Sequence, residues 1–191
     1  TEIYTLSLHD ALPIWANLCN TPFRRYKEEQ HSGGNASPLI VRWPGRVKSS
    51  GEIRSQTGHI IDLAPTLLEA AGLNQATLAV EGKTQRMEGI SLLPFLAANP
   101  PERARTLFWE HMGNRAVRDG DWKLVATREG RWELYNLRKD PTELNEVGAR
   151  HPERVKRLTE LYFSWARRCG VLTLQELAQK RKSIASQGLR D

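Results

Sequence analysis

The sequence predicts an α/β chain in which an α/β portion is followed by a small antiparallel sheet of about four strands packed on a C-terminal helix. Three observations carry this. An apolar run, Pro38-Leu39-Ile40-Val41-Arg42-Trp43, precedes a helix-prone segment at 59–72. Beyond Pro100-Pro101, short runs rich in aromatic and β-branched residues alternate with turn signals. After His151-Pro152, apolar residues recur at spacings of three and four, the repeat of one helix face.

Each element has its own physical reason. The run 38–43 is short, β-branched and flanked by prolines, so it reads as a buried strand closed by Pro44-Gly45. In 59–72, Asp62 is placed to cap, Pro65 falls in the first turn and Gly72 can terminate, with Leu63, Leu67 and Leu68 expected to face the core. A small helical segment is expected near Ser91–Ala97. Strands are then predicted over Thr106–Glu110, Arg115–Arg118, Trp122–Ala126 and Trp132–Leu137, with turns at Asp119-Gly120 and Glu129-Gly130. Pro152 suits a first helical turn, where a missing amide hydrogen costs little, and Val155, Leu158, Leu161, Tyr162 and Trp165 form the stripe that should lie on the sheet. The tryptophans at 109, 122, 132 and 165 fit strand and helix faces and are read as core. Residues 173–191 are helix-prone but polar, with an end expected to fray.

Composition narrows the function classes. With 191 residues, 39% hydrophobic and 26% charged, the chain is able to bury a core. Lys and Arg outnumber Asp and Glu by 28 to 22, and part of the excess sits in Arg24-Arg25-Tyr26-Lys27 and around Lys180, Arg181 and Lys182. No aromatic platform is interleaved with the basic tail and no zinc-finger spacing accompanies it, so it reads as a solvated helix face and no nucleic acid is expected as partner. Only Cys19 and Cys169 occur, which permits one bridge or two free thiols but no disulfide framework. No apolar run approaches the roughly 18 residues of a membrane span. Residues 1–14 have weak patterning and resemble translated sequencing-adaptor sequence; they are read as non-native, and His9 and Asp10 are given no role.

No Ser-His-Asp arrangement, phosphate-cradling glycine loop or metal-ligand spacing can be assembled from these residues. The most suggestive stretch runs from Arg24 to Gly34, a basic loop ending in paired glycines before the apolar run. Glycine backbone permits close approach to a ligand, and an ammonium offers three donors and a full charge to an oxyanion. A solvated basic loop with a glycine turn is the alternative reading of the same residues.

In order and spacing, Asn20-Thr21-Pro22-Phe23-Arg24-Arg25-Tyr26-Lys27, His31-Ser32-Gly33-Gly34 and Pro38 to Gly45 resemble arylsulfatases, in which a lysine stands five residues before a Glu-Gly-Gly step and leads into a strand ending Trp-Pro. Ile61 to Leu68, Asn114 to Val125, and Glu133-Leu134-Tyr135-Asn136-Leu137 with Asp140-Pro141-Thr142-Glu143 resemble the same family's C-terminal half. The resemblance covers about residues 15–168.

It implies the C-terminal part of an alkaline-phosphatase-like core over 15–103, a small sheet-plus-helix subdomain over 104–170 and a polar helical tail over 171–191. It also implies a parent enzyme that hydrolyses small-molecule or carbohydrate sulfate esters with a formylglycine nucleophile beside calcium, in a periplasmic or secreted setting. Neither cysteine resembles the modified motif, and the family's calcium carboxylates lie upstream, so no residue of this chain is expected to bind the metal and the chain alone is expected to be inactive. Lys27 matches the sulfate-contacting lysine and would stabilise charge on the sulfuryl oxygens and leaving group. Ser32 stands where the family carries Glu. His111, ending a strand, and His31, beside the glycines, are candidates for the substrate pocket. Two other readings compete: a phosphonate or phosphate diester hydrolase of the same superfamily, and a basic non-enzymatic binding module.

Overall fold

In a computed structural model, the described residues are 8–47, 51–73, 87–98, 100, 101 and 103–187, with side chains excepted at 8–13 and 185–187. They form two compact units, one of Thr1–Pro38 with Arg105–Asp191 and one of Leu39–Ala104.

The first unit is built on a four-stranded antiparallel sheet in sequential order, β1 (Thr106–His111), β2 (Asn114–Asp119), β3 (Trp122–Ala126) and β4 (Glu133–Asn136). Two-residue turns join the first three strands. Met112 and Gly113 both take positive φ between β1 and β2, the pattern of a type I′ turn. Asp119 pairs with Trp122, so the β2–β3 turn is Gly120-Asp121, one residue later than Asp119-Gly120, and Gly120 supplies the positive φ of 59°.

Register separates the two faces of the sheet. Val117, Leu124 and Leu134 lie side by side on one face and pack with Leu158, Tyr162 and Ala166. Those three come from the helix Pro152–Arg168, which carries the predicted stripe, with Val155, Leu161 and Trp165 on the margins of the same cluster. Phe108 stacks on Trp165 with centroids 5.1 Å apart, and Arg154 lies over Trp122 at 4.3 Å. Burying the fully enclosed Leu158 alone contributes about 2 kcal/mol. The opposite face carries Ala116, Val125 and Tyr135, flanked by Trp109 and by the lysine at 123. Helices Leu8–Cys19 and Leu174–Gln187 and the single turn Ser32–Asn35 belong to the same unit. Cys19 and Cys169 are both exposed and unbridged. No helix among the described residues is long and apolar enough to cross a membrane.

In the second unit, a 3-10 turn at Ile60–Asp62 runs into a helix over Leu63–Ala70, and a short helix follows at Leu93–Ala97. Asp62 is fully buried but does not cap the helix over Leu63–Ala70 as expected. His59 caps the preceding turn, with Nδ1 accepting from Ile61 N at 3.2 Å, and Asp62 completes a capping box, one carboxylate oxygen accepting from His59 N at 2.7 Å and the other from Ile90 N at 3.0 Å. Thr66 Oγ1 accepts from Leu92 N at 2.8 Å, so the chain 90–92 is tied along one side of the helix. Leu67 lies about 100° round the helix from Thr66 and is 69% exposed, contrary to its expected core position.

The run 38–43 also departs from expectation. It is not a strand, and Ile40 is 91% exposed. β-branched content favours an extended backbone, but a strand is stable only when a neighbour takes its amide and carbonyl groups, and no described strand pairs with this run.

Candidate functional site

The basic loop folds into a hoop closed by its own backbone. Gly33 N donates to Arg24 O at 2.9 Å, Glu29 N to Tyr26 O at 3.3 Å, and Gly34 N to His31 O at 2.8 Å. Arg25 and Glu28 take φ of 70° and 82°, bending the chain where no glycine stands. The paired glycines have a specific task here. A Cβ on Gly33 would overlap the carbonyl oxygens of Arg24 and Arg25, and one on Gly34 would overlap that of Glu29. The close approach these glycines allow is to the hoop's own backbone.

The hoop is anchored on the sheet face opposite the helix, through a buried polar network. Lys123 on β3 is 2% exposed and Glu143, in the turn after β4, is fully buried; Lys123 Nζ lies 2.8 Å from Glu143 Oε1. The other carboxylate oxygen of Glu143 accepts from Ser32 N at 2.6 Å, and its backbone carbonyl accepts from Arg24 Nη1. Lys123 Nζ also donates to Asn35 Oδ1 at 3.3 Å. Glu143 itself has φ of 59°, in a turn held by Asp140, whose carboxylate accepts from Leu144 N at 3.1 Å and Asn145 N at 2.7 Å.

Beside it runs a second chain of contacts. Arg24 Nη1 donates to Tyr135 Oη at 3.2 Å, Tyr135 Oη donates to Glu133 Oε2 at 2.5 Å, and His31 Nε2 lies 3.1 Å from the same oxygen. Burial lowers the pKa of Lys123, opposed by the adjacent Glu143 carboxylate. Burial pushes the Glu133 carboxyl up, but hydrogen bonds from Tyr135 and His31, with the nearby charges of His31 and Arg24, bring it below its ordinary value. Burial and the Glu133 contact push the Tyr135 phenol well up, which keeps it a donor.

The hoop thus presents Lys27 on an exposed rim, with no ion pair among the described residues. Lys27 lines an open pocket of about 390 Å³ with Tyr26, Glu28 and Glu29 of the hoop and with Asn114, Thr127, Arg128 and Glu129 from the strand ends. Its charges are mixed. His111 is exposed at the end of β1, paired in register with Asn114, and is not among the residues lining the pocket. His31 is fully buried against Glu133 rather than on the pocket wall. Lys123, Glu143, Tyr135 and Glu133 escaped the sequence reading of the site. Their one available signal was a charged residue, Lys123, inside an otherwise apolar strand.

No three His, Cys, Asp or Glu side chains among the described residues cluster so as to hold a metal ion, so these residues do not fit a calcium site. What the arrangement can do chemically is to present one ammonium group, on a backbone fixed at both ends, to an anionic group entering the pocket.

Residues 26–161 match the family described as N-sulphoglucosamine sulphohydrolase, C-terminal. An uncharacterized sulfatase of Schizosaccharomyces pombe is 30% identical over 168 residues, which are 84% of this chain and 30% of that protein. Arylsulfatase K of Xenopus laevis is 30% identical over 150 residues, 70% of this chain and 26% of its own length. Among solved structures, Ps i-CgsB in complex with k-i-k-neocarrahexaose superposes with a TM-score of 0.60 at 22% identity, over 77% of this chain and 32% of that one, a likeness of fold. The chain therefore spans under a third of the length of these relatives. On the family match and on an antiparallel sheet with its helix that agrees with these structures, the chain belongs to the sulfatases, within the N-sulphoglucosamine sulphohydrolase C-terminal family.

Proposed function

We propose that the full-length protein hydrolyses sulfate esters, with sulfated carbohydrates or aryl sulfates as substrates, and that Lys27 stabilises the charge that develops on the sulfuryl oxygens and the leaving group. The observation that carries this is the Lys27 ammonium, exposed and unpaired among the described residues, at the rim of a hoop pinned at both ends. A donor held in place before the reaction needs no reorganisation as charge builds, which makes it worth more than a mobile surface lysine. The family match supports the ester class, and the carbohydrate named for the Ps i-CgsB complex supports the sugar. The resemblance to arylsulfatases assigns the nucleophile, a formylglycine, and the calcium ion to other segments of such enzymes, and no step is routed through them here. His111, at the end of β1, would meet the part of the substrate beyond the sulfate, His31 would act through Glu133 on the hoop, and a periplasmic or secreted setting is the one the resemblance implies.

In the full-length protein, Lys27→Ala should lower kcat/KM on an aryl sulfate or a sulfated sugar by about a hundredfold or more, the scale of losing one oxyanion partner. Turnover near that of the unsubstituted protein would remove Lys27 from the reaction. Faster hydrolysis of a phosphonate or phosphate diester than of any sulfate ester would move the protein to the related hydrolase class.

A further inference from the structure

We infer that the buried Lys123–Glu143 ion pair is the positioning device of the Lys27 hoop, setting where the ammonium group stands while touching no substrate itself. This rests on the functional reading of Lys27. Glu143 holds both ends of the hoop at once: its carbonyl accepts from the Arg24 guanidinium, three residues before Lys27, and its carboxylate accepts from Ser32 N, five residues after. Lys123 neutralises that carboxylate and reaches further along the same turn, to Asn35. The hoop cannot shift along the sheet without breaking contacts at both of its ends.

A charge pair is an odd choice if only burial were needed. The other face of the same sheet is packed with Val117, Leu124 and Leu134, and apolar replacement of buried ion pairs in proteins is often neutral or stabilising. What the pair supplies is direction, because a buried carboxylate must meet its donors at defined places, which leaves the hoop one docked register. Glu143 does this from φ of 59°, a backbone conformation that side chains other than glycine seldom adopt and that persists where the surroundings over-determine it.

The test is a double-mutant cycle in the full-length protein, assayed on an aryl sulfate ester. Glu143→Gln should lower kcat by about tenfold to a hundredfold with KM little changed, the effect of displacing a catalytic group by about 1 Å. In a Lys27→Ala background the same substitution should change kcat less than about twofold, because nothing remains to be positioned. A purely structural role would give equal losses in both backgrounds, and that result, or full activity in a folded Glu143→Gln protein, overturns the inference. Should Glu143→Gln not fold, Arg24→Gln removes the hook at one end of the hoop and enters the same cycle with the same expected and overturning outcomes. Full rate in Lys27→Ala itself removes the functional reading and this inference together, whereas a Lys27→Ala loss without coupling removes this inference alone.

Discussion

Replacing Glu143 by Leu should be among the most damaging single changes in the first unit. Lys123 is 2% exposed and Glu143 fully buried, so the substitution leaves an ammonium group out of water without its counter-charge and leaves Ser32 N without its acceptor. Breaking a buried pair from one side costs about 3–5 kcal/mol. For a chain of this length each kcal/mol is worth about 2–4 °C, so the melting temperature should fall by about 6–20 °C. The double change Lys123→Met with Glu143→Leu removes both charges and should be more stable than Glu143→Leu alone.

The pH dependence of the single variant follows from the lysine. Burial already lowers the Lys123 pKa, and Glu143 is what opposes the shift. Without that carboxylate the folded state releases the proton earlier than the unfolded state, whose lysine titrates near 10.4, as in any unstructured chain. Between those two values the unfolded chain binds more protons, so the stability of Glu143→Leu should rise with pH toward about 10. Urea titration followed by tryptophan fluorescence reads the right unit, since Trp15, Trp109, Trp122, Trp132 and Trp165 belong to it and only Trp43 does not. A Glu143→Leu chain within about 1 kcal/mol of the unsubstituted one, or a double variant no better than the single, would refute the reasoning.

Two further outcomes are expected. Gly33→Ala places a methyl group into the carbonyls of Arg24 and Arg25, backbone atoms that cannot swing aside, and should destabilise by about 1–3 kcal/mol in urea titration; an unchanged midpoint would mean the hoop is not closed as described. Glu133 has a lowered pKa in the folded state, so its carboxylate contributes stability that is fully present above the ordinary glutamate value of about 4.3 and is lost as pH falls through the folded value. Glu133→Gln should therefore flatten part of the loss of stability on acidification. Asp140, likewise lowered, keeps the rest of that slope in place. Urea midpoints taken between pH 6 and 3 check this, and an identical slope in the variant would count against the Glu133 contacts.

The sheet and its helix were legible because their signals are local. Alternation, two-residue turns and the three-and-four stripe at 155–165 all act within one or two elements, and the structure shifts the β2–β3 turn by one residue and moves strand ends by one residue, as at Glu133–Asn136. The run 38–43 was not legible in the same way, because its composition prescribes an extended backbone while a strand also needs a neighbour that the described residues do not supply. At the candidate site, Lys27 could be found by its motif, but its support could not. In a strand of period two, Lys123 sits on the face opposite Leu124, which reads as solvent until the hoop is seen to cover it. Glu143 lies in a turn, where a charged residue is ordinarily exposed. Its carboxylate is called for by an amide 111 residues earlier, a separation across which no periodicity carries information.

That separation also has a meaning in time. A chain leaves the ribosome from its N-terminal end, so residues 24–35 are made long before Glu143 exists to receive them. Nascent protein stopped between residues 35 and 143 has the complete hoop sequence and lacks the Glu143 that docks it. The shape around Lys27 therefore cannot be fixed before residue 143 has been made, and an unfinished copy carries the lysine without its aim.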